Sequence, residues 1–159
     1  MIEKAYFASG CFWGTEYFFM KIPGVTTRVG YMGGFTFAPT YKEVCMGDTG
    51  YIETVEIVYD KEKVSYHTLV KLFFETHDFT QINGQGPDIG SQYISALFIA
   101  NEEQEKIARH YIELLQQKGY RVATQLRVLD DFWEAEEYHQ TYYAKTGGSP
   151  YCHRYQKIF

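Results

Sequence analysis

Apolar and polar positions alternate along this chain in two periods, and the periods change at glycines and prolines. Ala5 to Ser9 reads as a short buried strand that Gly10 breaks. Trp13 to Lys21 carries apolar residues suited to a helix and stops at Ile22-Pro23-Gly24, where proline cannot continue the hydrogen-bond ladder. Val25 to Tyr31 reads as a second strand. After a glycine-rich loop, Glu53 to Tyr59 sets Val55, Ile57 and Tyr59 on one face, a third strand that ends at Asp60. Ser65 to Thr76 spaces Leu69, Leu72 and Phe73 for a helix, and Ser95 to Ala100 is a fourth strand. The order β-α-β-β-α-β predicts an α+β, ferredoxin-like two-layer sandwich with a split βαβ core.

Further elements follow this core. Asn101 is placed to cap a helix with Gln104 in the reciprocal position, and Ile107, Tyr111, Leu114 and Leu115 form its apolar face before Gly119 ends it. Val122 to Leu129 adds a strand and Glu134 to Lys145 a last helix. Gly147-Gly148-Ser149-Pro150 then opens a tail, 147–159, expected to be mobile. Asp78 to Tyr93 holds Gly84, Gly86, Pro87 and Gly90 without a periodic pattern, and so long a loop in a compact domain points to function.

Composition narrows the class. The chain has 159 residues, 45% hydrophobic and 22% charged, which suits one globular domain over 1–159 and excludes disorder. Its net charge of −5 and pI near 5.5, with no basic patch, give no electrostatic reason for a nucleic-acid partner. The longest apolar runs fall far short of the roughly 20 residues that span a bilayer, and Met1-Ile2-Glu3-Lys4 lacks a signal peptide's apolar stretch. No membrane association and a reducing, cytoplasmic location are therefore expected. Three cysteines are too few, and odd in number, for a disulfide framework.

Each cysteine has its own setting. Cys11 lies where the first strand turns into the first helix, near free helix N–H groups that favour thiolate. Gly10 and Gly14 leave the backbone open around it, and Phe12-Trp13 offers an apolar pocket, which fits an exposed nucleophile better than core packing. Cys152 follows the Gly-Gly-Ser-Pro segment, where it could swing to another sulfur, provided that the two Cα atoms come within about 7 Å. Cys45, between Val44 and Met46, reads as core packing and is the second choice as a partner thiol. Glu53 would hold a proton if desolvated, although a lone glutamate there is ordinarily a strand-edge carboxylate. Asp88 alone reads as a turn residue, and Tyr41 and Tyr93 as structural. No metal is implied: Glu136 and His139 make only one Glu-x-x-His pair, and no H-E-x-x-H, C-x-x-C or P-loop string occurs.

Several strings together carry a family likeness: Gly10-Cys11-Phe12-Trp13-Gly14, Gly30-Tyr31-Met32-Gly33-Gly34, Pro39-Thr40-Tyr41-Lys42-Glu43-Val44-Cys45 and Gly50-Tyr51-Ile52-Glu53. Asp78-Phe79-Thr80-Gln81, Gln85-Gly86-Pro87-Asp88-Ile89-Gly90-Ser91-Gln92-Tyr93 and Ala135-Glu136-Glu137-Tyr138-His139-Gln140 continue it. In these, from Ala5 to about Cys152, the chain resembles the A-type peptide methionine sulfoxide reductases. The resemblance implies a ferredoxin-like fold, reduction of the S epimer of free or peptide-bound methionine sulfoxide, and no cofactor. It makes Cys11 the nucleophile, Phe12 and Trp13 the methyl pocket, and Glu53 the acid that protonates the sulfoxide oxygen. Tyr41 and Tyr93 would hydrogen-bond that oxygen, Asp88 would organise the site, and Cys152 would resolve the sulfenic acid, with thioredoxin as reductant and the enzyme a monomer. Tyr51 stands where His is common, Phe79 where Pro is common, and Ile94 where Arg usually follows the tyrosine. A peroxide-reducing thiol enzyme and a non-catalytic module that holds methionine-like side chains are the rival readings.

Overall fold

The structure, a computed structural model, describes all residues, 1–159. In chain order the elements are β1 (Ile2–Ser9), α1 (Phe12–Phe19), β2 (Val25–Met32), α2 (Tyr41–Cys45), β3 (Ile52–Asp60), α3 (Tyr66–Glu75), β4 (Gly84–Gln85), β5 (Asp88–Ile89), β6 (Ser95–Ile99), α4 (Glu102–Gln117), β7 (Gln125–Val128), β8 (Trp133–Glu134) and α5 (Tyr142–Thr146). β1 sits inside the sheet because both of its faces are apolar: Ala5 and Phe7 are buried on one side, Tyr6 and Ala8 on the other. It pairs antiparallel with β3, Ala5 opposite Ile57, and with β6, Phe7 opposite Leu97. β2 pairs antiparallel with the far edge of β3, placing Tyr31 opposite Glu53. β1 and β2 thus run parallel with β3 between them, so α1 has to cross over the sheet to join them. The full order is β7-β6-β1-β3-β2-β8, antiparallel except for the β6/β7 pair, which α4 connects.

One face of the sheet carries the helices. Phe7, Val29, Tyr31, Val55, Ile57 and Leu97 meet Phe19 of α1, Leu69 and Phe73 of α3, and Ile107, Tyr111 and Leu115 of α4 in a single core. Burying side chains of this size contributes roughly 1.5–3 kcal/mol each. On the other face Tyr6, Ala8, Met32, Ile52, Ala96 and Phe98 are covered by Phe132. The Arg28 guanidinium stands 5.3 Å from the Phe132 ring and that of Arg127 5.7 Å from Phe98. The result is an α+β molecule with a mostly antiparallel central sheet.

Several expectations need correction. Glu134 to Lys145 is not a helix: it divides into β8, a 3-10 turn at Glu137–His139, and α5. Its peptide groups have partners elsewhere. Ala135 N–H donates to the Val29 carbonyl, the Gln140 carboxamide bonds both backbone groups of Val29, and Thr141, with φ 50°, donates its N–H to buried Glu16. The box at α4 is open, since the Asn101 side chain accepts from Gln104 N–H, but the Gln104 carboxamide accepts from Ala100 and donates to Lys4. Leu114 is half-buried. The added strand shortens to Gln125–Val128. The Asp78–Tyr93 loop contains the hairpin β4–β5 and a 3-10 turn at Ser91–Tyr93.

The C-terminal segment beyond Gly147 has no helix or strand, yet its end lies on the body. Arg154 N–H donates to Thr76, Gln156 N–H to Glu75, and Phe159 packs edge-on to Tyr111. No helix is long and apolar enough to cross a membrane.

Candidate active site

The β1–α1 junction sets Cys11 at the N-cap of α1, after Gly10, whose φ of 97° suits only glycine. The half-buried thiol has the N–H groups of Trp13 and Gly14 beside it, which draw its pKa down. Burial outweighs them, and the Glu53 charge adds to burial, so the thiol is pushed well above its ordinary value. The expectation that the helix end alone would favour thiolate is therefore corrected: the junction supplies donors, but the pocket that contains them excludes water.

Glu53 faces this junction from β3. Its Oε1 accepts the Phe12 N–H at 3.1 Å, while its buried Oε2 has no partner. Burial pushes its carboxyl up to about 8, with the Asp88 charge adding and the Phe12 hydrogen bond opposing. A protonated carboxyl is an O–H donor at neutral pH, and the free oxygen is where that donor would point.

Tyr41 opens α2, which Thr40 and Glu43 close with a reciprocal capping box. Tyr93 ends the 3-10 turn after β5. Both phenols are half-buried and shifted upward by burial first; the Glu53 charge is a further cause for each, so both bear on the same carboxylate. Cys45 corrects another expectation. It is exposed, because α2 buries Val44 and turns Cys45 outward, and it neighbours Tyr41.

The aromatic wall extends beyond Phe12 and Trp13. Trp13 lies flat on Tyr142, 3.7 Å between centroids, and its indole N–H donates to His139 Nδ1 at 2.9 Å. That bond leaves the proton of neutral His139 on Nε2, a buried atom with no partner. Burial holds the His139 pKa down. Phe12, Tyr41 and Tyr138 also pack on its ring. Glu136 ties the wall to the sheet, accepting from Tyr31 Oη and from the Tyr41 N–H, each at 2.9 Å. His139, Glu136 and Tyr142 were missed as site residues in the sequence. The sequence signal for Glu136 and His139 is their i, i+3 spacing, which by itself points to a metal pair and not to an aromatic wall.

Cys152 meets Asp88 across the mouth. Its Sγ donates to Asp88 Oδ2 at 3.4 Å, and Tyr151 Oη donates to both carboxylate oxygens, the nearer at 2.9 Å. Burial and then Asp88 push this thiol up to about 12. The next residue, His153, is buried and donates from Nε2 to the Ser9 carbonyl at 2.6 Å. Its ring fills the space where a Cβ on Gly14 would stand, 2.1 Å from Nδ1, and also flanks Gly10. The two glycines around Cys11 thus seat the residue after Cys152. Phe79 packs between Phe74 and Tyr120.

Comparison with known proteins gives the family and the fold. The family model described as peptide methionine sulfoxide reductase matches residues 3–158. A relative from Methanoculleus marisnigri, "Peptide methionine sulfoxide reductase MsrA", is 49% identical over 151 residues, 92% of each chain. The crystal structure of reduced Mxr1 from Saccharomyces cerevisiae superposes with TM-score 0.90 at 33% identity, covering 98% of this chain and 92% of that one. Mxr1 in complex with Trx2 has the same fold, with TM-score 0.65 at 23% identity and 98% and 90% coverage.

Proposed function

The chain belongs to the peptide methionine sulfoxide reductase family, and from that premise we propose that it reduces methionine-S-sulfoxide, free or in proteins, through Cys11. The observation that carries this reading is Glu53: a buried carboxyl held up to about 8, with one oxygen unpartnered, beside the half-buried thiol. Glu53 protonates the sulfoxide oxygen, and Tyr41 and Tyr93 hydrogen-bond it, which makes the sulfur electrophilic. Phe12 and Trp13 hold the methyl group, while Asp88 orders the mouth. Cys11 sulfur attacks as thiolate, its proton passing to the carboxylate that Glu53 leaves on protonating the oxygen, and the bond between that oxygen and the substrate sulfur breaks. Oxygen passes to Cys11 as sulfenic acid: the sulfoxide gains two electrons, and the cysteine loses them. The Cys152 thiol then displaces water to form a Cys11–Cys152 disulfide.

Thioredoxin is the proposed reductant, in keeping with the complex of Mxr1 with Trx2. The proposed unit is a single catalytic domain over 1–159, acting as a monomer in the cytoplasm without a cofactor, with 147–152 moving to deliver Cys152. Its core is proposed to be ferredoxin-like, on the strand order β6-β1-β3-β2. Replacing Cys11 by Ser should abolish methionine formation from a sulfoxide peptide with dithiothreitol; retained turnover would overturn the assignment. Peptide mapping after one turnover without reductant should find Cys11 joined to Cys152, and a Cys11–Cys45 bridge would refute the role given to Cys152.

A further inference from the structure

We propose that the cleft between the β2–α2 loop and the β7–β8 loop is a subsite for a cationic side chain, lysine or arginine, flanking methionine sulfoxide in a peptide substrate. This inference rests on the sulfoxide reductase reading of the Cys11 site. The cleft, of about 270 Å³, is lined by the rings of Phe35, Phe37, Tyr51 and Trp133 and by Asp130 and Asp131. Phe35 and Phe37 are 83% and 86% exposed, so two large rings stand in water at its rim. Each nevertheless touches the body. The Phe35 ring covers Gly50, where a Cβ would come within 2.5 Å of it, and Phe37 meets Trp133 edge-on at 4.9 Å. Tyr51 packs against Gly34, and its hydroxyl donates to the Thr36 carbonyl. This seat gives a role to the tyrosine that departs from the family's usual histidine.

The charges select the occupant. Asp130 and Asp131 are exposed, and neither has a cationic partner within 4.0 Å; the Asp130 carboxylate accepts only the Asp131 N–H. Arg28 is engaged by Glu56 and Glu134, and Arg127 lies by Phe98, so neither neutralises the pair. Aromatic faces beside two unpaired carboxylates attract an ammonium or guanidinium by cation–π and ion-pair contacts together, and an apolar or acidic side chain gains neither. The net charge of −5 favours the approach of a basic peptide.

The cleft is also placed to matter for the reaction. Tyr51 stands two residues before Glu53, just ahead of the start of β3 at Ile52, within about 7 Å along the chain. A peptide whose sulfoxide oxygen meets Glu53 therefore sets a residue one or two positions away beside Tyr51.

The test compares kcat/KM for short blocked peptides with one methionine sulfoxide and Lys, Ala or Glu at each of the two positions on either side. Lysine at one position should raise kcat/KM over alanine by roughly three- to ten-fold, through KM, with the advantage shrinking at high salt. The double variant Asp130→Asn/Asp131→Asn should remove the preference and leave turnover of free methionine sulfoxide unchanged. Equal rates on Lys and Ala peptides in the wild type, or a lysine preference that survives in the double variant, would overturn the subsite. Turnover of free methionine sulfoxide separates the two readings: present without any lysine preference, it refutes only the subsite, while its absence refutes the reductase reading and the subsite with it.

Discussion

Glu53 has a different environment at each oxygen, one bonded to the Phe12 N–H and one buried without a partner. Burial raises its pKa from the ordinary 4.5 to about 8. In its proposed role of general acid it is competent below that value and lost above it. The rate of methionine formation should therefore fall as pH rises through about 8. Glu53→Gln should lower kcat by about a hundred-fold or more and erase that limb of the pH–rate profile. Linkage runs the same way for stability. A carboxyl whose folded pKa is raised contributes stability that is complete below about 4.5 and is lost as pH rises through about 8. Glu53→Gln should thus resist urea better than the wild type at pH 9, and a variant less stable there would count against a buried acid. In the sequence Glu53 alone reads as a strand-edge carboxylate, because the residues that bury it arrive from other elements. Cys11 was legible as a candidate nucleophile from its glycines and aromatics, but its ionisation was not, since burial competes with the helix end.

The start of α1 and the C-terminal segment act as one element. Gly14 lacks a Cβ where the His153 ring stands, and Ser9, at the end of β1, accepts the His153 N–H. Gly14→Ala should force the ring out, costing roughly 1–3 kcal/mol in thermal or urea unfolding and slowing disulfide formation by Cys152. A variant of unchanged stability would show that the His153 seat carries no energy. Cys152→Ser should yield one equivalent of methionine without a disulfide and keep turnover with dithiothreitol while losing it with thioredoxin; quantified thiols and methionine check both. Elements with their own periodicity, β1, β3, α3 and α4, were legible because local burial repeats in them. The segment Glu134–Lys145 was not, since Glu16, Val29 and Trp13 take its polar groups into tertiary bonds that no local pattern encodes. Cys45 misled for a related reason: apolar neighbours in sequence do not say which way a five-residue helix turns.

Across the whole molecule, two buried imidazoles join the sheet to what packs on it, His77 from the end of α3 and His153 from the C-terminal segment. His77 donates to the Phe73 carbonyl and accepts from Ser95, and His153 meets Ser9; burial depresses their pKa values to about 3 and about 4. The unfolded chain takes up these protons below about 6.5 and the folded one does not. Their contribution is therefore present above about 6.5 and lost as pH falls through the folded values. Glu53 shifts stability the opposite way over this range, so urea midpoints of Glu53→Gln should drop between pH 7 and pH 5, and adding His153→Gln should make the drop smaller; an equal drop would remove His153 from the account. The sequence by itself determined the order of β1, α1, β2, β3, α3, β6 and α4, the candidate nucleophile with its aromatic neighbours, and the family, because local periodicity and contiguous strings carry them. Only the tertiary structure decided which carboxyl keeps its proton, that His139 orients Trp13, that His153 seats on the glycines around Cys11, and that Asp130 and Asp131 share a cleft with four rings. Those properties depend on water being excluded, or charges being gathered, by residues far apart in the chain.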